Sequence, residues 1–188
     1  MTTKYWVFKV KEETGGLYRR SGIEIYNHRM ADGFWGLKED SDNFKEAAIF
    51  DKLEKGDRVL FYLVEAGRES RFLGTATLGS GIEKLDEEKA TTIVHKDYLD
   101  GDRGVYINAI DKWQNYLSVE CLRGKGPFGD GRAKFSPFFK GNVKQLGSHD
   151  EFEIIFQEHM IVNADLKTPK KKRTHFLPKQ PKKLPHRT

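Results

Sequence analysis

The most informative segment of this chain runs Arg58-Val59-Leu60-Phe61-Tyr62-Leu63-Val64. In an extended conformation, Val59, Phe61 and Leu63 point to one side, and the equally apolar residues between them point to the other. A strand that is apolar on both faces is typical of the centre of a sheet with packed structure on each side. The segment therefore predicts a central strand.

The residues that follow predict a hairpin. Polar and small residues from Glu65 to Ser70 are typical of a loop, and a second strand follows from Arg71 to Leu78. Within that strand, Gly74 has no side chain, which favours a β-bulge or a close backbone contact.

Further elements are predicted on both sides of the hairpin. The other predicted strands are Tyr5 to Val10, Val105 to Ile110 and Leu117 to Leu122. Capping boxes at Ser21 to Glu24 and Ser148 to Glu151 each predict the start of a helix, because Ser and a Glu three residues later satisfy free backbone N–H groups. Two more helices are predicted, one from Ser41 or Asp42 to Leu53 and a short one near Glu83 to Ala90. This order predicts an α+β fold, with flanking helices around a small mixed or barrel-like β-sheet.

Charge divides the chain into two parts. Its 188 residues include 33 Lys and Arg and 28 Asp and Glu, for a formal charge of +5. Nine of the bases and none of the acids lie from Lys167 onward, so residues 1–166 hold 24 bases against 28 acids. We predict a folded domain over residues 1–166 and a disordered, basic, Pro/Lys-rich tail or linker over residues 167–188.

Several protein classes are excluded by absent patterns. No apolar run approaches the roughly 20 residues of a membrane span, and the N-terminus does not resemble a signal peptide, so we expect a cytoplasmic protein. A single cysteine, Cys121, excludes a disulfide framework, and the six histidines lack metal-ligand spacing. Common catalytic motifs are missing as well. The sequence predicts a binding protein with neither metal nor cofactor, rather than an enzyme.

Aromatic and basic residues are the candidates for binding. Trp35 lies between Gly33 and Gly36, where we expect an irregular junction and an exposed ring that points into a cleft. Stacking on such a ring contributes roughly 1–3 kcal/mol per nucleobase. Trp6 and Trp113 are more typical of a core.

Bases cluster twice within the otherwise acidic body. One cluster lies in or before the first helix, and the other lies between Cys121 and Leu146. Each predicts a phosphate-binding face, although a solvated run of charge explains the second equally well. The candidate phosphate-binding residues are Arg19, Arg20, His28, Arg29, Arg123, Lys125, Arg132 and Lys134.

The order of short motifs resembles the PUA-like superfamily, and the EVE and YTH domains within it. Tyr5-Trp6 is similar to the start of EVE domains, whereas Phe34-Trp35, the Arg68-Glu69-Ser70 hairpin and Gly104-Val105-Tyr106 are similar to YTH domains. Phe138-Phe139-Lys140-Gly141 and the last helix resemble the PUA-like ending. The resemblance covers about residues 5–160.

The resemblance implies a small barrel that captures a flipped, modified base in an aromatic cage. In YTH domains the base is typically N6-methyladenine, and the first cage wall matches Trp35. The second cage Trp of that family has no counterpart here, and Tyr98 is the only aromatic residue in the corresponding loop. The candidate base-binding residues are Trp35, Tyr98, Asn43, Gly36, Leu37, Trp6 and Tyr62. The expected partner is nucleic acid with a modified base, DNA rather than RNA.

A finer resemblance concerns restriction. Ile25 to Met30 running into Phe34 to Leu37 is similar to the N-terminal modules of archaeal McrB-type proteins, which implies an AAA+ GTPase motor in the same polypeptide and a nuclease subunit. One alternative is a general RNA-binding PUA-like protein whose tail supplies most of the affinity. Another, less favoured, is a hydrolase of modified nucleosides, similar to the ASCH branch of the superfamily.

Overall fold

The computed structural model describes residues 2–13, 19–37, 48–99, 101, 103–128 and 141–167. The strands are β1 Tyr5–Lys11, β2 Phe34–Gly36, β3 Arg58–Val64, β4 Arg71–Leu78, β5 Glu83–Lys84, β6 Arg103–Ser118 and β7 Val143–Gln145. The helices are α1 Gly22–Asp32, α2 Glu87–Thr92 and α3 His149–Lys167, with 3-10 turns at Lys96–Tyr98, Val119–Leu122 and Gly126–Phe128. The predicted α+β class is confirmed.

All seven strands join one curled sheet in the order β2-β6-β4-β3-β1-β7, and β5 pairs with β6. The predicted central strand is confirmed, since β3 lies between β1, which is parallel to it, and the antiparallel β4. Its two apolar faces enter different cores. Val59, Phe61 and Leu63 pack in the core beneath α1, whereas Leu60 and Tyr62 pack in the core beneath α3.

The two predicted strands after residue 104 are wrong in extent. β6 is one strand of 16 residues, and Val119–Leu122 is a 3-10 turn in which the Ser118 hydroxyl accepts the Glu120 N–H. Pairing between β4 and β6 shifts register twice, and Ala109 adopts a positive φ of 45° within the second shift. Such bulges break the two-residue alternation from which strands are predicted.

Local start and stop signals are confirmed. The Ser21 hydroxyl accepts the Glu24 N–H at the start of α1, and Gly33 ends the helix with a φ of +64°. At α3 the Glu151 N–H donates to Ser148, and the Glu151 carboxylate accepts the Gly147 N–H. The hairpin also forms, and a Cβ at Gly74 would lie 2.3 Å from the Asp111 carbonyl oxygen, which confirms the predicted close contact.

Other predictions are corrected or lie outside the described residues. The segment near Glu83 to Ala90 forms the short β5 and then α2, so its predicted helix begins too early. Of the predicted second helix, residues 48–53 are described: residues 48–50 are helical, whereas residues 51–53 are not, so the helix ends before the predicted Leu53. Residues 168–188 of the predicted tail lie outside the described part. No described helix has the length and apolar character that a bilayer span requires.

Candidate nucleic-acid interface

A cleft of about 260 Å³ opens between α1 and β1. Its apolar wall belongs to the core beneath α1 and consists of Val10, Ile25, Trp35, Leu37 and Phe50. Its polar lining consists of Lys9, Lys11, Glu12, Glu13, Arg29 and Asn142. Pockets for drug-sized ligands span roughly 300–1,000 Å³. The cleft therefore suits a smaller group, about the size of a single nucleobase.

Trp35 lines this cleft but is not exposed as the sequence predicts. It belongs to β2, where it pairs with Val105 of β6, and only 2% of its surface is exposed. Its ring centroid lies 5.0 Å from that of Phe61 and 5.8 Å from that of Phe8. The expected irregular junction is instead a short paired strand, which draws the ring into the core.

Arg29 of α1 covers the Trp35 ring. Its Cζ lies 4.7 Å from the ring centroid, and its Nε donates a 2.6 Å hydrogen bond to the carbonyl oxygen of Tyr98. Arg29 is only 3% exposed although it lines the cleft. A guanidinium fixed on an aromatic face gains cation–π attraction, which is stronger where water is excluded. The residue predicted to bind phosphate is thus a wall of the cleft itself.

Tyr98 lies beside α1 and does not line the cleft. Its ring lies 4.1 Å from the His28 ring, and the Arg20 Cζ lies 4.7 Å from its centroid. Its hydroxyl donates a 2.6 Å hydrogen bond to Glu24, which raises the pKa of Tyr98. The structure therefore does not bring Tyr98 together with Trp35 as two walls of one cage.

The remaining base-binding candidates are dispersed. The side chain of Leu37 lines the cleft, but its N–H donates to the Arg103 carbonyl oxygen, and Gly36 is paired with Gly104 within the sheet. These backbone groups are engaged in the fold rather than directed at a ligand.

The other two aromatic candidates are core residues. Trp6 is fully buried, and its Nε1 donates a 2.8 Å hydrogen bond to Asp57. Tyr62 packs on Phe72 in the core beneath α3, so the sheet separates it from the cleft. Trp113 is buried as predicted. Asn43 lies outside the described residues.

The two basic clusters lie on opposite sides of the sheet, and four of their cations form ion pairs with carboxylates. Near α1, Arg19 lies 3.0 Å from Glu12 and Arg20 lies 3.4 Å from Glu13. Arg123 lies 2.6 Å from Glu120, and Lys125 lies 2.5 Å from Glu158 of α3. The hydrogen bond from Arg19 lowers the pKa of Glu12. Arg132 and Lys134 lie outside the described residues.

Several lining residues were not predicted from the sequence. Lys9 and Lys11 alternate with buried residues of β1, a pattern that equally suits a solvated strand face. Asn142 reaches the cleft because its carbonyl oxygen accepts the Lys9 N–H, next to the pairing of β7 with β1. That pairing joins segments over 130 positions apart, so no local signal predicts it.

Among the described residues, no group of three His, Cys, Asp or Glu could hold a metal.

The fold is shared with solved structures of low sequence identity. A hypothetical protein from Leishmania major is 16% identical, with a TM-score of 0.56 over 86% of this chain and 98% of that one. Human THYN1 in complex with 5-methylcytosine-containing DNA is 11% identical, with a TM-score of 0.53 over 83% and 98%. The DUF55 domain of human thymocyte nuclear protein 1 is 9% identical, with a TM-score of 0.52 over 82% and 98%.

No protein family and no curated protein is matched by the sequence. The shared architecture, a curled sheet with flanking helices, confirms the expected fold.

Proposed function

We propose that this protein binds nucleic acid that carries a modified base, and that the cleft between α1 and β1 receives the base. The observation that carries the proposal is the pairing of a base-sized, apolar cleft with the Trp35 ring and the cations Lys9, Lys11 and Arg29 at its lining. An apolar wall gains contact with an added methyl group, while cations balance a nearby phosphate. The fold shared with THYN1, solved with 5-methylcytosine DNA, supports the proposal.

The first candidate modification is N6-methyladenine in DNA, by the resemblance of Phe34-Trp35 and Gly104-Val105-Tyr106 to YTH domains. A methyl group that fits an apolar pocket contributes about 1–3 kcal/mol of discrimination, or roughly 10- to 200-fold. A base in a duplex must first flip out at a cost of a few kcal/mol. Single-stranded DNA should therefore bind more tightly than a duplex of the same sequence.

The direct test measures dissociation constants for matched oligonucleotides. The set compares N6-methyladenine, 5-methylcytosine and unmodified bases in single-stranded DNA, duplex DNA and RNA. We expect a preference for one methylated DNA over its unmodified counterpart, and equal affinity for all of them would refute the proposal.

Conservative variants locate the site. Trp35→Phe trims the cleft wall and should reduce the preference for the modified base. Trp113→Phe is the matched control, because Trp113 is equally buried but lies in the core beneath α3. A similar loss in both variants would place recognition elsewhere.

The proposal describes a binding protein rather than an enzyme, and it extends to directing a restriction nuclease through an AAA+ motor. Support for the restriction role is the McrB-like sequence from Ile25 to Leu37 alone. Reconstitution tests it: methylated DNA should stimulate nucleotide hydrolysis by such a motor only when this domain is present. Hydrolysis of a modified nucleoside by the purified protein would contradict the binding-only role.

A further inference from the structure

We propose that Arg29 is an internal competitor for the cleft: its guanidinium occupies the Trp35 face on which a bound base stacks, and the base displaces it. The inference rests on the proposed function, because it concerns how the same cleft admits its ligand. Binding of the base then includes a change in the conformation of the Arg29 side chain.

Neither face of the Trp35 ring is open to a ligand. The Phe61 and Phe8 rings contact it from the sheet, and the Arg29 Cζ lies over it from α1 at 4.7 Å. With 2% of Trp35 exposed, a base cannot stack on the ring while these groups all stay in place.

Of the groups around the Trp35 ring, Arg29 is the one that can leave. Phe8 and Phe61 are fully buried in the core, and moving either would open a cavity there. Arg29 lines the cleft and has a long, rotatable side chain. Base stacking is of similar strength to a cation–π contact, so a stacked base offsets the loss of the Arg29 contact with the ring.

The exchange leaves the segment that carries Tyr98 attached to α1. Leaving the ring breaks the hydrogen bond from Arg29 Nε to the Tyr98 carbonyl oxygen. The surrounding segment stays attached to α1, because the Asp32 carboxylate accepts the Val94 and His95 N–H groups. Displacement is thus a movement of one side chain.

The test measures dissociation constants for two neutral methylated nucleosides, N6-methyladenosine and 5-methylcytidine. Because a nucleoside carries no phosphate, removing the Arg29 charge does not by itself weaken its binding. Arg29→Ala should bind the nucleoside that the wild type prefers about fivefold more tightly, as expected for removing a competing cation–π contact. Equal or weaker binding by Arg29→Ala would overturn the inference.

Arg58→Ala is the matched control. Its guanidinium lies 5.0 Å from the Phe152 ring centroid on the α3 side of the sheet, so it removes the same charge and type of contact away from the cleft. Its affinity should equal that of the wild type, and a similar gain there would also overturn the inference.

A measurement on the wild type covers the case in which Arg29→Ala does not fold. The Arg29 Nε–H signal in ¹⁵N NMR spectra should shift on addition of saturating nucleoside, as the group leaves the Trp35 ring and the Tyr98 carbonyl. Binding that leaves this signal in place would contradict displacement while sparing the proposed function. Failure of the wild type to bind any modified nucleoside or oligonucleotide would overturn both.

Discussion

At the scale of single residues, the position of Trp35 depends on the missing side chain of Gly104. A Cβ at Gly104 would lie 2.2 Å from the Trp35 carbonyl oxygen and 2.7 Å from the Phe34 ring. Gly104→Ala should therefore push β2 away from β6, lower the free energy of unfolding by about 1–3 kcal/mol and weaken base binding. Urea denaturation and nucleoside titration measure the two effects.

Gly67→Ala is the control for this substitution. Gly67 has a φ of +72°, but a Cβ there meets nothing within 4 Å. Its cost should be limited to backbone strain of about 1 kcal/mol, with base binding unchanged. Equal effects of the two substitutions on base binding would contradict the role given to Gly104.

Asp57 is a buried carboxylate that accepts three hydrogen bonds. It accepts the Trp6 Nε1–H at 2.8 Å, the Lys4 N–H at 3.0 Å and the Glu54 N–H at 3.1 Å. Asp57→Ala leaves all three without this acceptor and should lower the free energy of unfolding by at least about 3 kcal/mol. Asp57→Asn keeps one acceptor oxygen and should lose less, so equal losses would refute this account.

Residue types at the site were predicted better than their orientations. Trp35 and Arg29, both candidates from the sequence, line the same cleft, whereas Arg19, Arg20 and His28 do not. It does not show that Arg29 points inward to Trp35 while Tyr98 packs between Arg20 and His28. Those orientations follow from the docking of the 94–99 segment on α1, which no local pattern encodes.

At the scale of elements, α3 is attached to the sheet by a titratable contact. His159 of α3 stacks on Trp113 of β6 with ring centroids 3.7 Å apart and planes 7° apart, and its Nε2 lies 2.7 Å from Asn163 Nδ2. Burial lowers the pKa of His159 from its ordinary value near 6.5, and nearby Asp111 only partly opposes this. The folded protein thus resists protonation that the unfolded chain accepts.

The free energy of unfolding should therefore fall as the solution becomes more acidic. The stabilising effect of neutral His159 is complete above about pH 6.5 and is lost as the pH falls from there toward the folded-state pKa. Over that interval the free energy of unfolding should fall by up to about 1.4 kcal/mol per pH unit. Urea denaturation between pH 5 and pH 8 measures it. His159→Phe keeps a ring on Trp113 and should remove this part of the slope, so an unchanged slope in the variant would assign it to other groups.

Elements whose signals are local were predicted well, and those shaped by distant partners were not. The alternation in β3 and the Ser21 and Ser148 caps depend on neighbours a few positions away, and all three are confirmed. The sequence predicts two strands in place of β6 because the bulges against β4 change which face each residue takes: Val105 and Ile107 enter the core beneath α1, whereas Trp113 and Leu117 enter the core beneath α3.

At the scale of the whole molecule, ion pairing reduces what the two basic clusters offer to a nucleic acid. Arg19, Arg20, Arg123 and Lys125 each lie within 3.4 Å of a carboxylate, and the last two lie across the sheet from the cleft. Phosphates bound at both clusters would therefore contact opposite sides of the domain. Polymer affinity and base preference should thus depend on different parts of the chain.

Deleting residues 168–188 tests that separation, because this segment holds eight Lys and Arg and no acid. Affinity for modified and unmodified oligonucleotides should fall by the same factor, leaving their ratio unchanged. The slope of log K against log salt concentration should become shallower by about 0.7–0.9 for each phosphate that the shortened protein no longer binds. Titrations at several salt concentrations give both quantities. A ratio that collapses to one would show that the segment takes part in base recognition, whereas an unchanged slope would show that the domain holds the phosphates by itself.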